Sequence, residues 1–468
     1  MQNEIFPRWG ARVAEKVISG TASKTWGLVR PELPERGPLR WFWLNGLMNS
    51  IQDTLLLTYI PLYVLALGGT AAEIGWLSAL GSLLGTAVLL PGARIAERYG
   101  QPHRMVVIVN SLVRFVILAL AVWPFLGQAG VWGMIVFATL RTIGTQIALP
   151  AWTSIAASIV PGEVRGRYFA SRNLVMALGA AVAVPVAGQI IDQFGGVTGY
   201  RINFGIAFVV GLVANYFYAR IEAPRSQGPV IVRGKRLPLM QRLRLRPNFT
   251  LFCVHAAVWN FSLQISAPFF NVFLVQVLGA STLVVGLLAT VATLSSLPGQ
   301  QVWGRVADRV GSRRALLWSG LLIPLAPWAW MLVGEPWQVS FINLFSGFLW
   351  AGFNIATFNF LLAATPELRR PRYVALFNTV VGLSNAAGAA LGGWIADAVS
   401  YQAIFFLSGV GRAIGLALFF FMVLDPSDAP ERDLQPAPLE PGDPGYEPPS
   451  PVLAGVEADA DEPLSEQR

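Results

Sequence analysis

One cysteine, Cys253, stands in 468 residues, and it falls in an apolar run. A disulfide framework within the chain is excluded, and so is a cysteine-built metal site. Histidine is nearly as scarce. His103 and His255 lie far apart in sequence and leave zinc chemistry without a ligand set. His255, near the start of an apolar span, reads as structural. Charge is thin as well: 13% of residues are Asp, Glu, Lys or Arg, where a soluble domain carries about a quarter. No glycine-rich loop ends in Gly-Lys-Ser/Thr, so nucleotide-driven pumping by this chain is not expected. No cluster of His, Cys or carboxylates points to an enzyme. The first residues lack an apolar core ahead of a small-residue cleavage site, so no signal peptide is read there. They suit either a short amphipathic helix, with Trp9, Val13, Val17 and Ile18 on one side, or a partly ordered polar tail.

What is abundant is apolar sequence, at 54% of the chain. A helix needs about 20 apolar residues to cross the hydrocarbon. Runs of that length fall at 41–67, 72–93, 104–126, 131–160, 173–192 and 202–221, and again at 249–277, 282–303, 314–334, 337–365, 373–397 and 401–424. Twelve membrane helices are thus expected in an all-α membrane protein. Pro61, Pro150, Pro185 and Pro268 fall inside spans, where each removes a backbone hydrogen bond and can bend the helix. The net charge of +8 is not a nucleic-acid footprint, because the basic residues lie in short connections between spans. Segments 1–40, 94–104, 161–172, 220–248, 304–314 and 366–372 are arginine-rich, and the opposite connections carry only Arg201. The positive-inside rule then puts both termini and the central connection in the cytoplasm, with the chain in the inner (cytoplasmic) membrane.

The expected organisation is a cytoplasmic segment 1–40, a six-helix bundle 41–221, a basic linker 222–248, a second six-helix bundle 249–424, and an acidic, proline-rich, disordered cytoplasmic tail 425–468. The two bundles repeat. Arg94-Ile-Ala-Glu97-Arg98-Tyr-Gly100 returns as Arg305-Val-Ala-Asp308-Arg309-Val-Gly311, and Gly75 returns as Gly286, at an offset of 211. Gly188 and Asp192 return as Gly393 and Asp397 at an offset of 205. Six spans per repeat is an even number, so both halves enter the membrane in the same direction, related by an axis along its normal.

The loop Gly304-Arg-Val-Ala-Asp308-Arg309-Val-Gly311-Ser-Arg313-Arg314 resembles the signature loop of the major facilitator superfamily, at that family's place between the second and third helices of a half. The first copy, running from Gly92 through Glu97, Arg98 and Gly100, is looser: Glu97 replaces the Asp, and Ala93 stands where the second copy has Gly304. The resemblance covers about 41–424. It implies two pseudo-symmetric six-helix bundles, secondary transport by alternating access, and a cytoplasmic gating latch at these loops. Physically, the glycines would permit a tight turn and close helix approach, and the acid would cap a helix or pair with an arginine.

Fourteen acids precede the tail, and only Asp53 lies near the middle of a span. An intramembrane carboxylate is costly unless protonated, paired or facing water, and so is a functional candidate. Burial favours its neutral form and a nearby cation its charged form, so a balanced site can take up and release a proton. Asn49 lies one turn away on the same face; the second half has Asn260 and neutral Gln264 at matching depth. These residues are expected to line a central cavity. A structural ion pair is the alternative for Asp53. Arg114, Arg141 and Arg412 are also embedded. Arg141 resembles the fourth-helix arginine of the family's proton-coupled antiporters and is the expected partner of Asp53. Arg114 and Arg412 would bind an anionic substrate or pair locally. Gly179 to Gly188, with Pro185 between, weakly resembles the antiporter signature of the fifth helix, but small residues alone also allow close packing. Trp152, Trp350 and Trp394 are candidates for an apolar pocket wall. The expectation is a monomeric secondary transporter in the lipid bilayer that exports small apolar or drug-like compounds. It uses no cofactor and draws on the proton gradient. An uptake carrier for a sugar or organic ion is the runner-up, and a non-transporting receptor or scaffold the reading from another class.

Overall fold

A computed structural model of the chain describes residues 34, 37–99, 101–123, 130–160, 164–222, 247–365 and 370–425. The expectations for the N-terminal segment before residue 34, for most of the linker and for the tail beyond 425 lie outside the described residues. Among the described residues every regular element is helical. The first half consists of α1 (Pro38–Leu57, continued by Ile60–Ala66), α2 (Ala71–Tyr99), α3 (Pro102–Val122), α4 (Val131–Ile159), α5 (Arg165–Phe194) and α6 (Gly196–Ala219). The second half consists of α7 (Pro247–Ser266, continued by Phe270–Gln276), α8 (Thr282–Val310), α9 (Ser312–Gly320, continued by Leu325–Met331), α10 (Val339–Ala363), α11 (Arg370–Ala398) and α12 (Tyr401–Met422).

Ten of these twelve are long and apolar enough to cross a membrane, α7 among them with a 3-10 turn inside its span. The other two, α1 and α9, are each broken into shorter helices by turns. In α1 the interruption precedes Pro61: the Tyr59 N–H turns to Leu56 O at 3.0 Å. Leu55 O, which a regular helix would pair with that N–H, accepts instead from Asn203 Nδ2 at 2.6 Å. The repeat of this break in α7 is a 3-10 turn, Ala267–Phe269, at Pro268, whose missing N–H removes the bond to residue 264. Pro150 and Pro185 lie inside continuous helices. The expected single span 314–334 is corrected to two short helices separated at 321–324, with Pro324 before the second.

Helices of one half pack mainly on each other. The two halves meet chiefly along two pairs, α2 with α11 and α5 with α8, which the repeat relates to each other, with smaller contacts of α7 on α1 and α2. Toward the arginine-poor end, one hydrophobic core spans both halves, from Leu55, Tyr59 and Tyr63 through Ile191 to Phe269 and Leu288. Toward the arginine-rich end the core divides in two. One part, around Phe252, Trp259 and Phe360, belongs to the second half. The other, around Phe42, Ile155 and Tyr168, belongs to the first. The halves are thus joined at one end and packed separately at the other.

Candidate transport site and the seal between the halves

Four glycines set the closeness of the joined end. Gly75 of α2 faces Gly393 of α11, and a Cβ on Gly75 would lie 2.7 Å from Ala389 O and 2.8 Å from the Gly393 Cα. Across the related pair, a Cβ on Gly188 would lie 2.7 Å from the Leu283 Cα, and one on Gly286 2.8 Å from Val184 O. Side chains complete the seal. Asp192 of α5 accepts from the Thr282 and Leu283 N–H groups at 3.0 and 2.9 Å and from Thr282 Oγ1 at 2.7 Å. A carboxylate from one half therefore closes the N-terminus of α8 in the other, where unpaired N–H groups and the helix dipole favour negative charge. Tyr59, fully buried at the α1 break, donates to Val184 O at 2.7 Å. Near mid-membrane Thr290 Oγ1 donates to Ala181 O at 2.9 Å.

On the arginine-rich side of this seal lies a central cavity of about 570 Å³ between the halves. Its walls include Ser78, Ser82, Arg141 and Gln146 from the first half, and Gln264 and Asn378 from the second. Arg141 of α4 is 7% exposed, and its Nη2 donates to Asp53 Oδ1 in an ion pair. The Asp53 side chain remains 46% exposed despite its mid-span position. Gln52 Nε2 donates to the same oxygen at 3.4 Å. Asn49 joins a neighbouring contact: its Oδ1 accepts from Arg114 Nη2 at 2.7 Å, while Arg114 Nε donates to Gly211 O at 3.1 Å. Asp53 and Asn49 thus meet two arginines, from α4 and α3. Arg114 is engaged within its own half.

The second-half pair divides. Gln264 lines the central cavity, whereas Asn260 Nδ2 donates to its own helix at Ala256 O, 2.8 Å away. Asn49 Nδ2 makes the same kind of bond, to Asn45 O at 3.0 Å. Asp53, Asn49 and Asn260 stand behind the residues that form the cavity wall, which are Arg141 and Gln264 among the expected set. His255 binds Gly415 O at 2.7 Å in a buried helix contact. Of the three tryptophans, Trp350 borders a second cavity, within the second half. Trp152 packs on Phe42, beside the buried Arg172 guanidinium. Trp394 is 62% exposed on the outer surface of α11.

In the second signature loop the acid forms no latch contact among the described residues. Gly311, at φ +85°, makes the turn between α8 and α9 that a glycine allows. Gly92 lets α2 approach α4, since a Cβ there would lie 2.8 Å from Ile147 O. Gly304 does not serve close approach: a Cβ there would meet open space. Asp308, Arg309 and Arg314 are exposed, and Asp308 makes no hydrogen bond or ion pair among the described residues. Arg313 instead caps the end of α12, donating to Val423 O and Phe420 O, both at 2.8 Å. The side chains of Glu97 and Arg98, and Gly100 itself, lie outside the described residues. Reasoning from sequence missed Tyr59 and the cross-half role of Asp192. The aromatic beside a span-breaking proline, and the repeat of Asp192 at Asp397, were the signals available.

The family model for the Major Facilitator Superfamily matches residues 42–273 and 256–454. Among curated relatives, the multi-drug resistance efflux pump PmrA homolog of Lactococcus lactis is 22% identical over 377 residues, covering 77% of this chain and 88% of the relative. Multidrug resistance protein MdtG of Dickeya zeae is 22% identical over 402 residues, covering 80% and 93%. Among solved structures, the nucleoside transporter NupG superimposes with a TM-score of 0.64 at 12% identity, over 83% of this chain and 99% of that one. A bacterial homolog of the human lysosomal transporter Spinster gives 0.62 at 16% identity, over 86% and 98%. These likenesses agree with the two six-helix halves, and the relatives are transporters rather than enzymes or scaffolds. The chain is a multi-pass membrane transporter and belongs to the Major Facilitator Superfamily.

Proposed function

We propose that the chain exports small apolar, drug-like compounds across the cytoplasmic membrane in exchange for protons, with Asp53 as the proton carrier and Arg141 as its partner. The observation that carries the reading is the Asp53–Arg141 ion pair, whose arginine lines the central cavity. With the arginine-rich end cytoplasmic, the sealed end is external and the cavity lies on the cytoplasmic side. The state described is then inward-facing, and the core that divides between the halves at the arginine-rich end fits that state. When a proton binds Asp53, the charge-assisted bond to Arg141 is lost and the site is neutral on that carboxylate. When substrate enters from the cytoplasm or membrane, the ion pair re-forms and the proton leaves to the cytoplasm. The low-identity multidrug relatives support export as the direction.

A second reading draws on the cavity wall itself. Ser78, Ser82, Gln146, Gln264, Asn378 and Asn385 are polar and uncharged, a lining that suits a sugar-like solute. The two separate in proteoliposomes. The export reading expects a lipophilic cationic dye to be concentrated by a maintained pH gradient and to equilibrate when the gradient is collapsed. No dye movement, together with gradient-independent flux of a labelled sugar, overturns it in favour of the second.

A further inference from the structure

A second cavity of about 440 Å³ lies wholly within the second half, between α7, α8, α9, α10 and α12. Its volume is in the range of small-ligand pockets, about 300–1,000 Å³. Trp330 and Trp350 contribute apolar walls, and Asn271, Ser346, Asn354 and Arg412 contribute polar groups. No Asp, Glu or Lys lines it. Arg412 is 2% exposed. Its Nη2 donates to Ser266 Oγ at 3.0 Å, and its Nε has no hydrogen-bond partner among the described residues. Arg141 has Asp53, and Arg114 has an amide oxygen and a backbone carbonyl; Arg412 has one hydroxyl. The side chains of Asn271, Ser346 and Asn354 make no hydrogen bond among the described residues. A guanidinium cannot be discharged in proteins and offers a planar fork matched to a carboxylate. A buried cation without an anion is costly, and a ligand that brings the anion removes that cost.

We propose that this cavity binds a carboxylate on an aromatic or apolar body, with Arg412 holding the carboxylate, the free amides and hydroxyl at its flanks, and the tryptophans enclosing the body. The site is separate from the Asp53–Arg141 pair and does not depend on proton coupling or on the direction of transport.

The test is binding of 4-fluorobenzoate to the purified full chain, followed by fluorine NMR, against its neutral isostere 4-fluorobenzamide. The wild type is expected to hold the acid at least about tenfold more tightly than the amide, the scale of one charge-assisted pair at about 1.5–3 kcal/mol. Arg412→Gln should bring the two within about twofold. Ser346→Phe, which fills the cavity and keeps the arginine, should remove both, so the site is tested even where Arg412→Gln does not fold. Displacement by 1-naphthoate assigns a soluble aromatic acid; displacement by palmitate assigns a membrane fatty acid; either supports the carboxylate site. Equal binding of acid and amide to the wild type, or an acid preference unchanged in both variants, overturns it. Loss of proton coupling in Asp53→Asn with the acid preference intact leaves this site standing, so the two proposals fail separately.

Discussion

Replacing Gly393 by alanine should open the sealed end. A Cβ at Gly393 would lie 2.8 Å from the Gly75 Cα and 2.9 Å from Ala71 O, whereas non-bonded carbons prefer about 3.5–4.0 Å. The backbones of α2 and α11 must part by roughly an ångström, and over-packing of this kind costs about 1–3 kcal/mol. Alanine also favours the helix itself by up to about 1 kcal/mol, but that gain is present in every conformation and cancels from their ratio. The clash exists only while the halves touch at this end. The sealed conformer therefore loses about 5- to 150-fold in population against the one open there. The assay is thiol labelling in a Cys253→Ser background with Ser82→Cys in the central cavity. An impermeant maleimide applied from the arginine-poor face should react at least about fivefold faster in Gly393→Ala, and Gly75→Ala should act alike. An unchanged labelling rate with transport at the wild-type rate would refute the claim that these glycines set the seal.

Other outcomes follow from the same geometry. Asp192→Asn removes the carboxylate that closes the N-terminus of α8 across the halves; it should weaken the seal by about 0.5–1 kcal/mol, the low end of cap energies because the group is exposed, and raise the Ser82→Cys labelling rate from the same face. Gly347→Val would push a side chain into Ala292 of the same half; it should lower thermal stability by about 1–3 kcal/mol without favouring either face in the labelling assay. Cysteine at Glu335 should react with an external impermeant reagent and cysteine at Asp308 should not, and the opposite pattern would reverse the proposed orientation.

Much of the architecture was legible in the sequence because it is repeated there. The offsets of 211 and 205 that pair Gly75 with Gly286 and Gly188 with Gly393 reappear as two related contacts between the halves. A one-dimensional pattern shows that these glycines recur but not that they face a helix of the other half. Their role, like that of Asp192 and Tyr59, emerges only once α5 meets α8 and α2 meets α11. The Asp53–Arg141 pair was legible for a different reason: an isolated mid-span acid needs a partner, and among three embedded arginines Arg141 was singled out by its resemblance to the fourth-helix arginine of the family's antiporters. Gly304 misled because a glycine in a motif reads as a close approach, while its surroundings are open. The depth of Asn49 and Asn260 was legible, but depth on a helix does not decide whether an amide reaches the cavity or its own backbone, and both donate to a carbonyl one turn back. The break in α9 was hidden by an apolar run that continues across it.

The most direct test of the account is the split between uphill transport and exchange in Asp53→Asn, measured in proteoliposomes with a lipophilic cationic dye. Removing the titratable group should abolish accumulation driven by a pH gradient while dye-for-dye exchange continues, because the cavity and the seal remain. Accumulation against a gradient at the wild-type rate in Asp53→Asn would contradict the proton role and leave Asp53 and Arg141 as a structural ion pair.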